Sequence, residues 1–238
     1  AQAMTAAART MEDQHPPNSL HGYFLRAGDP AIPILYSVDR IRDGKSFTIR
    51  RVVAIQRGAA IFSMTVSFHV DESGLTHSVP MPAVPGPDDV PPQPRHAHQP
   101  LEFEKPSQPI EMRFVEPYDE HNPQPAPATQ HVWIRTVDAM PEPDLLHRCM
   151  LAYASDMTLL DTSYRPHGIG WRDQGFHVAS LDHAMWFHRP VRTDEWLLYA
   201  QDSPNSGGAR GFSRGAFFTQ DGELVASVAQ EGLIRLHN

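Results

Sequence analysis

Residues 61–70, Ile-Phe-Ser-Met-Thr-Val-Ser-Phe-His-Val, alternate apolar and polar side chains without exception from Phe62 onward. Successive side chains of a β-strand point to opposite faces of the sheet, so this alternation predicts a strand with one buried face. The preceding segment 47–55 is rich in β-branched residues, and Gln56-Arg57-Gly58 supplies a turn between the two. Together the two segments predict an antiparallel hairpin.

Further from this hairpin, each half of the chain begins with a helix and continues with strands. An alanine-rich segment without glycine or proline, residues 1–11, predicts the first helix, and Asp144 is a suitable N-cap for a second over 144–160. The predicted strands are 19–25, 34–41, 47–55 and 61–70 in the first half and 178–188, 196–201, 209–219 and 224–235 in the second. Helix followed by antiparallel strands, rather than βαβ alternation, predicts an α+β fold.

The two halves can be superimposed as sequences. Gly58 matches Gly222 and Ser63 matches Ser227 at an offset of 164 positions, while Ser19-Leu20 is matched to Ser180-Leu181 at 161. Such agreement indicates an internal duplication of one helix-plus-sheet unit. We therefore predict a first unit over 1–79, a proline-rich connector over 80–106 and a second unit over 107–238, in which 110–115 is strand-like.

Composition excludes several functional classes. The 238 residues carry 20 basic and 28 acidic side chains, a net charge of −8, so no nucleic-acid partner is expected. We expect no membrane span, and the single cysteine, Cys149, favours a reducing, cytoplasmic location. His96 and His98 have a spacing that metals can use, but without nearby ligands we expect them to be solvated rather than to bind zinc.

Three polar residues of the second half are candidate site residues. Gln230 shares the strand parity of apolar residues and replaces Val66 of the first copy, so a polar partner must meet its buried amide. Asp156 borders the apolar stripe of the predicted helix; a functional carboxylate and a solvated edge residue both remain open. Ser180 begins the next strand, and serines there usually serve turns. We expect Asp161 to be structural.

No Gly-x-Ser-x-Gly elbow surrounds Ser180, which disfavours a nucleophilic serine hydrolase. Phosphate-binding loops, dinucleotide fingerprints and HExxH are also missing from the sequence.

Longer strings in both halves closely resemble the acyl-CoA thioesterase II family. The strings are Tyr23-Phe24-Leu25-Arg26-Ala27-Gly28-Asp29-Pro30, Arg42-Asp43-Gly44-Lys45-Ser46-Phe47, Tyr153-Ala154-Ser155-Asp156, Pro166-His167-Gly168-Ile169-Gly170, the run from Ser180-Leu181-Asp182-His183 to Pro190, Ala209-Arg210-Gly211-Phe212, Thr219-Gln220-Asp221-Gly222 and Val228-Ala229-Gln230-Glu231-Gly232. The resemblance fades only in the proline-rich connector.

The resemblance implies a double hotdog, in which two antiparallel sheets are each wrapped around a long helix, and hydrolysis of fatty acyl-CoA to free fatty acid and CoA. The family's catalytic Asp, Ser or Thr, and Gln fall on Asp156, Ser180 and Gln230. A strand and a Gly-Gly turn that normally precede the first helix are not in this sequence, so we expect the N-terminal strand to be missing. Members of the family assemble, and we expect a homo-oligomer.

On this reading Asp156 is the general base or the orienter of the attacking water, able to take up the proton if burial raises its carboxyl pKa, while Ser180 and Gln230 hold that water. Backbone N–H groups near a helix start are the expected oxyanion donors, and no metal or redox cofactor is expected. Two alternatives remain. The chain could be a non-catalytic acyl-CoA binding or sensing module. It could also be an enoyl-CoA hydratase, but His147, the only helix histidine near Asp156, points elsewhere on the wheel.

Overall fold

A computed structural model describes residues 1–11, 15–91, 109–117, 119, 122–142 and 144–236. His96 and His98 lie outside these residues. The described chain forms three helices, α1 (Gln2–Ala8), α2 (Asp144–Ala154) and α3 (Asp161–Tyr164), and short 3₁₀ turns at Pro87–Asp89 and Arg165–His167. The strands are β1 (Pro17–Phe24), β2 (Leu35–Asp43), β3 (Phe47–Gln56), β4 (Ala59–His69), β5 (Ile110–Phe114), β6 (Thr129–Thr136), β7 (Phe176–Ser180), β8 (Asp182–Phe187), β9 (Leu197–Gly207), β10 (Arg210–Thr219) and β11 (Leu224–Leu236).

The strands of both halves form one antiparallel sheet in the order β2-β3-β4-β1-β8-β11-β10-β9-β6-β5, with β7 paired to β11. The two predicted sheets are joined edge to edge by β1 and β8, where Leu20 lies opposite Met185. Within the halves, β2-β3-β4-β1 repeats the order β9-β10-β11-β8. The α+β double-hotdog fold is therefore confirmed, with its two sheets continuous.

The helices pack on this sheet and on each other. Met4 and Ala7 of α1 and Leu151 of α2 are completely buried in one core cluster with Val66 of β4 and Val228 of β11. Apolar burial on this scale supplies the main driving force for the fold. No described helix is long and apolar enough to cross a membrane.

Several element boundaries differ from the sequence prediction. α2 ends at Ala154 rather than near Leu160, and a turn follows it. The predicted strand 178–188 is divided at Leu181 into β7 and β8, because the pairing with β11 shifts by one residue there. β6 was not predicted. Its β-branched and aromatic residues directly follow closely spaced prolines, which are typical of a loop.

The strand register also corrects the matching of the two copies. Pro17 lies opposite Phe68 on β4, and Ser180 lies opposite Gly232 on β11. Because Phe68 and Gly232 are 164 positions apart, Pro17 is the counterpart of Ser180. The earlier match of Ser19-Leu20 with Ser180-Leu181 is therefore wrong by two residues.

Candidate active site

The three polar residues singled out in the second half are in mutual contact. Gln230 Nε2 lies 2.7 Å from Asp156 Oδ1 and 2.8 Å from Ser180 Oγ, and Ser180 Oγ lies 3.1 Å from Asp156 Oδ1. All three distances fit hydrogen bonds. Residues 74 positions apart in the chain are thus brought into one cluster.

Two strands position the serine and the glutamine. Ser180 is the last residue of β7 and lies opposite Gly232 of β11. Gln230 lies two residues before Gly232 on that strand. Gln230 is completely buried, as expected from its parity with apolar residues, and it has the polar partners that a buried amide requires.

Asp156 lacks the burial that the expected mechanism called for and lies instead at the solvated edge position that the helical wheel left open. It lies in the turn after α2, and its side chain is exposed rather than desolvated. The hydroxyl of the buried Tyr199 donates to the backbone carbonyl of Ser155 at 2.8 Å, replacing a bond that a longer helix would make. The carboxylate is therefore held at the surface, where water and substrate can reach it.

The chemistry of the groups fixes the direction of each hydrogen bond. A carboxylate only accepts, so both Gln230 Nε2 and the Ser180 hydroxyl donate to Asp156 Oδ1, and Ser180 Oγ accepts the second N–H of Gln230. Oδ1 is thereby occupied by two donors. The side-chain hydrogen bonds that Asp156 makes with the described residues all end on Oδ1, so the lone pairs of Oδ2 can accept a proton from a water molecule.

A fourth member of the cluster, His183 of β8, was not identified from the sequence. Its Nδ1 lies 2.5 Å from Gln230 Oε1 and its Nε2 lies 2.8 Å from Ser155 Oγ. Burial lowers the pKa of His183, although the charge of Asp156 opposes this effect. A comparison of the copies at the correct register would have found it, because its counterpart in the first copy is Leu20.

The remaining candidates lie elsewhere. Asp161 is buried and accepts from the hydroxyl of Tyr164. His147 is buried, and its Nδ1 accepts from the backbone N–H of Thr193 at 3.0 Å. The Asp/His pair of a hydratase is therefore not assembled from Asp156 and His147. Within the described ranges, no three His, Cys, Asp or Glu side chains are grouped as a metal site would require.

Comparison with known proteins gives consistent matches over both halves. The family model described as acyl-CoA thioesterase matches residues 103–233, and the model described as acyl-CoA thioesterase N-terminal domain matches residues 1–69. Acyl-coenzyme A thioesterase 8 of Mus musculus is 39% identical over 251 residues, covering 99% of this chain and 78% of the relative. Acyl-CoA thioesterase 2 of Haemophilus influenzae is 37% identical over 246 residues, covering 99% of this chain and 85% of the relative.

A solved structure agrees with these matches. The crystal structure of the acyl-CoA thioesterase II TesB2 from Mycobacterium marinum superimposes with a TM-score of 0.85 at 46% sequence identity. The superposition covers 100% of this chain and 87% of that chain.

Proposed function

Because the chain belongs to the acyl-CoA thioesterase family and hydrolyses acyl-CoA thioesters, we propose that it does so by direct attack of a water molecule activated by Asp156. The substrates are fatty acyl-CoA molecules and the products are a free fatty acid and CoA. The observation that carries the proposal is the convergence of Ser180 and Gln230 on a single oxygen of Asp156.

In the proposed reaction, Asp156 Oδ2 accepts a proton as the water oxygen bonds to the thioester carbonyl carbon. The C–S bond then breaks, and the proton passes to the leaving thiolate. The bonds from Gln230 and Ser180 hold the carboxylate in one orientation throughout, which reduces the entropic cost of reaching the transition state. A bound acyl chain would cover the exposed carboxylate and exclude bulk water from it. These steps require no metal or redox cofactor.

Substitution of the three residues tests this assignment. We expect Asp156→Asn, Ser180→Ala and Gln230→Ala to lower kcat for palmitoyl-CoA, measured as released thiol, with the largest loss for Asp156→Asn. Asp221→Asn, at an exposed hairpin turn, is the matched control and should keep wild-type turnover. Wild-type turnover in all three site variants would contradict the assignment.

The route of the oxygen atom tests for a covalent intermediate. In a single turnover with enzyme in excess and ¹⁸O-labelled water, direct attack places the label in the fatty acid. An anhydride formed by Asp156 could instead place the label in the enzyme carboxylate. Label found in Asp156, or trapping of an acyl-enzyme by hydroxylamine, would overturn the water mechanism.

We further propose a cytoplasmic location and a homo-oligomeric state. The location rests on the single cysteine, since reducing compartments keep thiols free. The oligomer rests on large apolar side chains exposed on β1 and β2, among them Tyr23, Leu35 and Ile41, which a second copy could cover. Fractionation of cells and light scattering on the purified chain test the two statements; a monomer mass would refute the second.

A further inference from the structure

The pair His183 and Gln230 is almost entirely removed from solvent. His183 is 6% exposed and Gln230 is 0% exposed. The register of β8 with β11, in which Ala184 lies opposite Ala229, places the two side chains next to each other across the strand pair. Among the hydrogen bonds of the described residues, none joins His183 to Asp156, and the two are connected through Gln230.

The amide of Gln230 has one orientation that satisfies its neighbours. The atom facing Asp156 must be a donor, since a carboxylate only accepts, so Nε2 faces Asp156 and Oε1 faces His183. His183 must then present Nδ1–H to Oε1. Its other nitrogen, Nε2, is then an acceptor for the hydroxyl of Ser155 at 2.8 Å, and this hydroxyl donates to the ring rather than to its more distant acceptor, the Ala152 carbonyl at 3.1 Å. The lowered pKa of His183, caused by burial, is consistent with this neutral ring.

The first copy replaces both members of the pair. Leu20 and Val66 lie opposite each other on β1 and β4, at the positions that His183 and Gln230 occupy in the second copy. Both are buried: Leu20 is 5% exposed and Val66 is 0% exposed. An apolar pair therefore packs well at this place in the fold. The fold itself does not require a histidine there, so we attribute the presence of His183 to its hydrogen bond with Gln230.

We propose that His183 is a positioning residue for thioester hydrolysis, which sets the orientation of the Gln230 amide so that Nε2 faces Asp156 and Ser180. This inference rests on the proposed function, because it has His183 orient Gln230 for the hydrogen bond by which Gln230 holds the Asp156 carboxylate. Without the Nδ1–H donor, the amide can rotate so that Oε1 faces Asp156. Oδ1 then loses a hydrogen bond and gains a repulsive contact.

A double-substitution cycle tests the proposal. We expect His183→Leu to lower kcat for palmitoyl-CoA about 10- to 100-fold, as small misplacements of catalytic groups do, with KM changed by less than about two-fold. The double variant His183→Leu/Gln230→Val restores the apolar pair of the first copy and should fold. Its kcat should equal that of Gln230→Val alone, because His183 has no further task once the amide is gone.

Three comparisons extend the cycle. His183→Asn retains an N–H near the position of Nδ1, so it should keep more of the wild-type kcat than His183→Leu. Ser155→Ala leaves the ring without a donor at Nε2 and should lower kcat only when Gln230 is present. His188→Leu is the matched control: this exposed histidine follows β8, bonds Ser227 at 2.8 Å, and should be dispensable for turnover.

The outcomes separate the proposal from its premise. A wild-type kcat in Gln230→Val would overturn both the proposed role of Gln230 in hydrolysis and the proposed positioning role of His183. An equal loss from His183→Leu in both backgrounds, with Gln230→Val impaired, would overturn only the positioning role. The ¹⁵N chemical shifts of the His183 ring provide a check without substitution, since a proton on Nε2 in place of Nδ1 would also overturn it.

Discussion

At the scale of single residues, Cys149 of α2 combines burial with a hydrogen bond to a distant helix. It is 5% exposed, and its Sγ lies 3.4 Å from Thr5 Oγ1 of α1. Burial raises the pKa of the thiol, so little of the reactive thiolate forms at neutral pH.

We therefore expect native Cys149 to resist Ellman's reagent, while the unfolded chain reacts fully. The measurement is the absorbance change with and without denaturant. Rapid reaction of the folded protein would contradict the burial, and resistance has a practical consequence: released CoA can be followed with the same reagent.

His183 gives a second prediction at this scale, on pH. Its folded-state pKa is lowered by burial, whereas an unfolded histidine takes up a proton near its ordinary pKa of about 6.5. Below that pH the unfolded chain binds more protons than the folded one, so the free energy of unfolding decreases as the pH falls. The slope from this one group is at most about 1.4 kcal/mol per pH unit.

Urea unfolding at about pH 7 and about pH 5.5 should show this loss in the wild type and a smaller loss in His183→Leu/Gln230→Val. The comparison cancels groups common to both proteins, including the exposed His188, whose pKa is also lowered, by partial desolvation of its ring and then by the charge of Arg189. Equal losses in the two proteins would mean that His183 titrates normally when folded.

At the scale of elements, the end of α2 decides where Asp156 lies. Tyr199 of β9 is completely buried, stacks on Phe217 at 3.8 Å and donates its hydroxyl to the Ser155 carbonyl. Tyr199→Phe leaves that carbonyl unpaired, and we expect a loss of about 1–3 kcal/mol in the free energy of unfolding. Because the turn carries Asp156, kcat should fall as well.

Tyr153→Phe is the control for this substitution, since Tyr153 also belongs to the second half but is 44% exposed on α2. It should leave stability and kcat unchanged. Unaltered melting and turnover in Tyr199→Phe would show that the turn does not depend on this bond.

The same element shows what the sequence could and could not predict. The burial of Gln230 followed from strand parity, because a period of two is local and unambiguous. The end of α2 could not be predicted, since no glycine or proline follows Ala154 before Leu160 and the bonds that end the helix come from distant strands. The shift at Leu181 had the same cause, because cross-strand register is a property of two segments.

The surroundings of Asp156 were left open between a desolvated and a solvated position for this reason too. A helix continued to Leu160 would have kept the carboxylate beside the apolar stripe, whereas the observed turn directs it outward. His183 was missed because the matching of the copies was wrong by two residues on that strand, which compared it with the wrong position.

At the scale of the whole molecule, the duplication predicts one active site per chain. Val66 and Leu20 occupy the places of Gln230 and His183, and Pro17 occupies that of Ser180, so the first copy lacks the polar groups of the second. Equilibrium binding of a non-hydrolysable acyl-CoA analogue should therefore saturate at one molecule per chain. Saturation at two would show a working site in each copy.

Replacing Val66 with glutamine tests the same asymmetry through stability. The buried Arg50 lies opposite Val66 on β3, but its guanidinium already bonds Thr10 and Asp43, so a new amide at 66 would have no prepared partner. We expect Val66→Gln to lose about 1–3 kcal/mol in the free energy of unfolding, the cost of an unsatisfied buried amide, and to gain no activity. Thr65→Gln, on the exposed face of the same strand, is the control and should melt like the wild type. An unchanged melting temperature in Val66→Gln, or added turnover, would mean that the first copy can accommodate the amide and would contradict the predicted asymmetry.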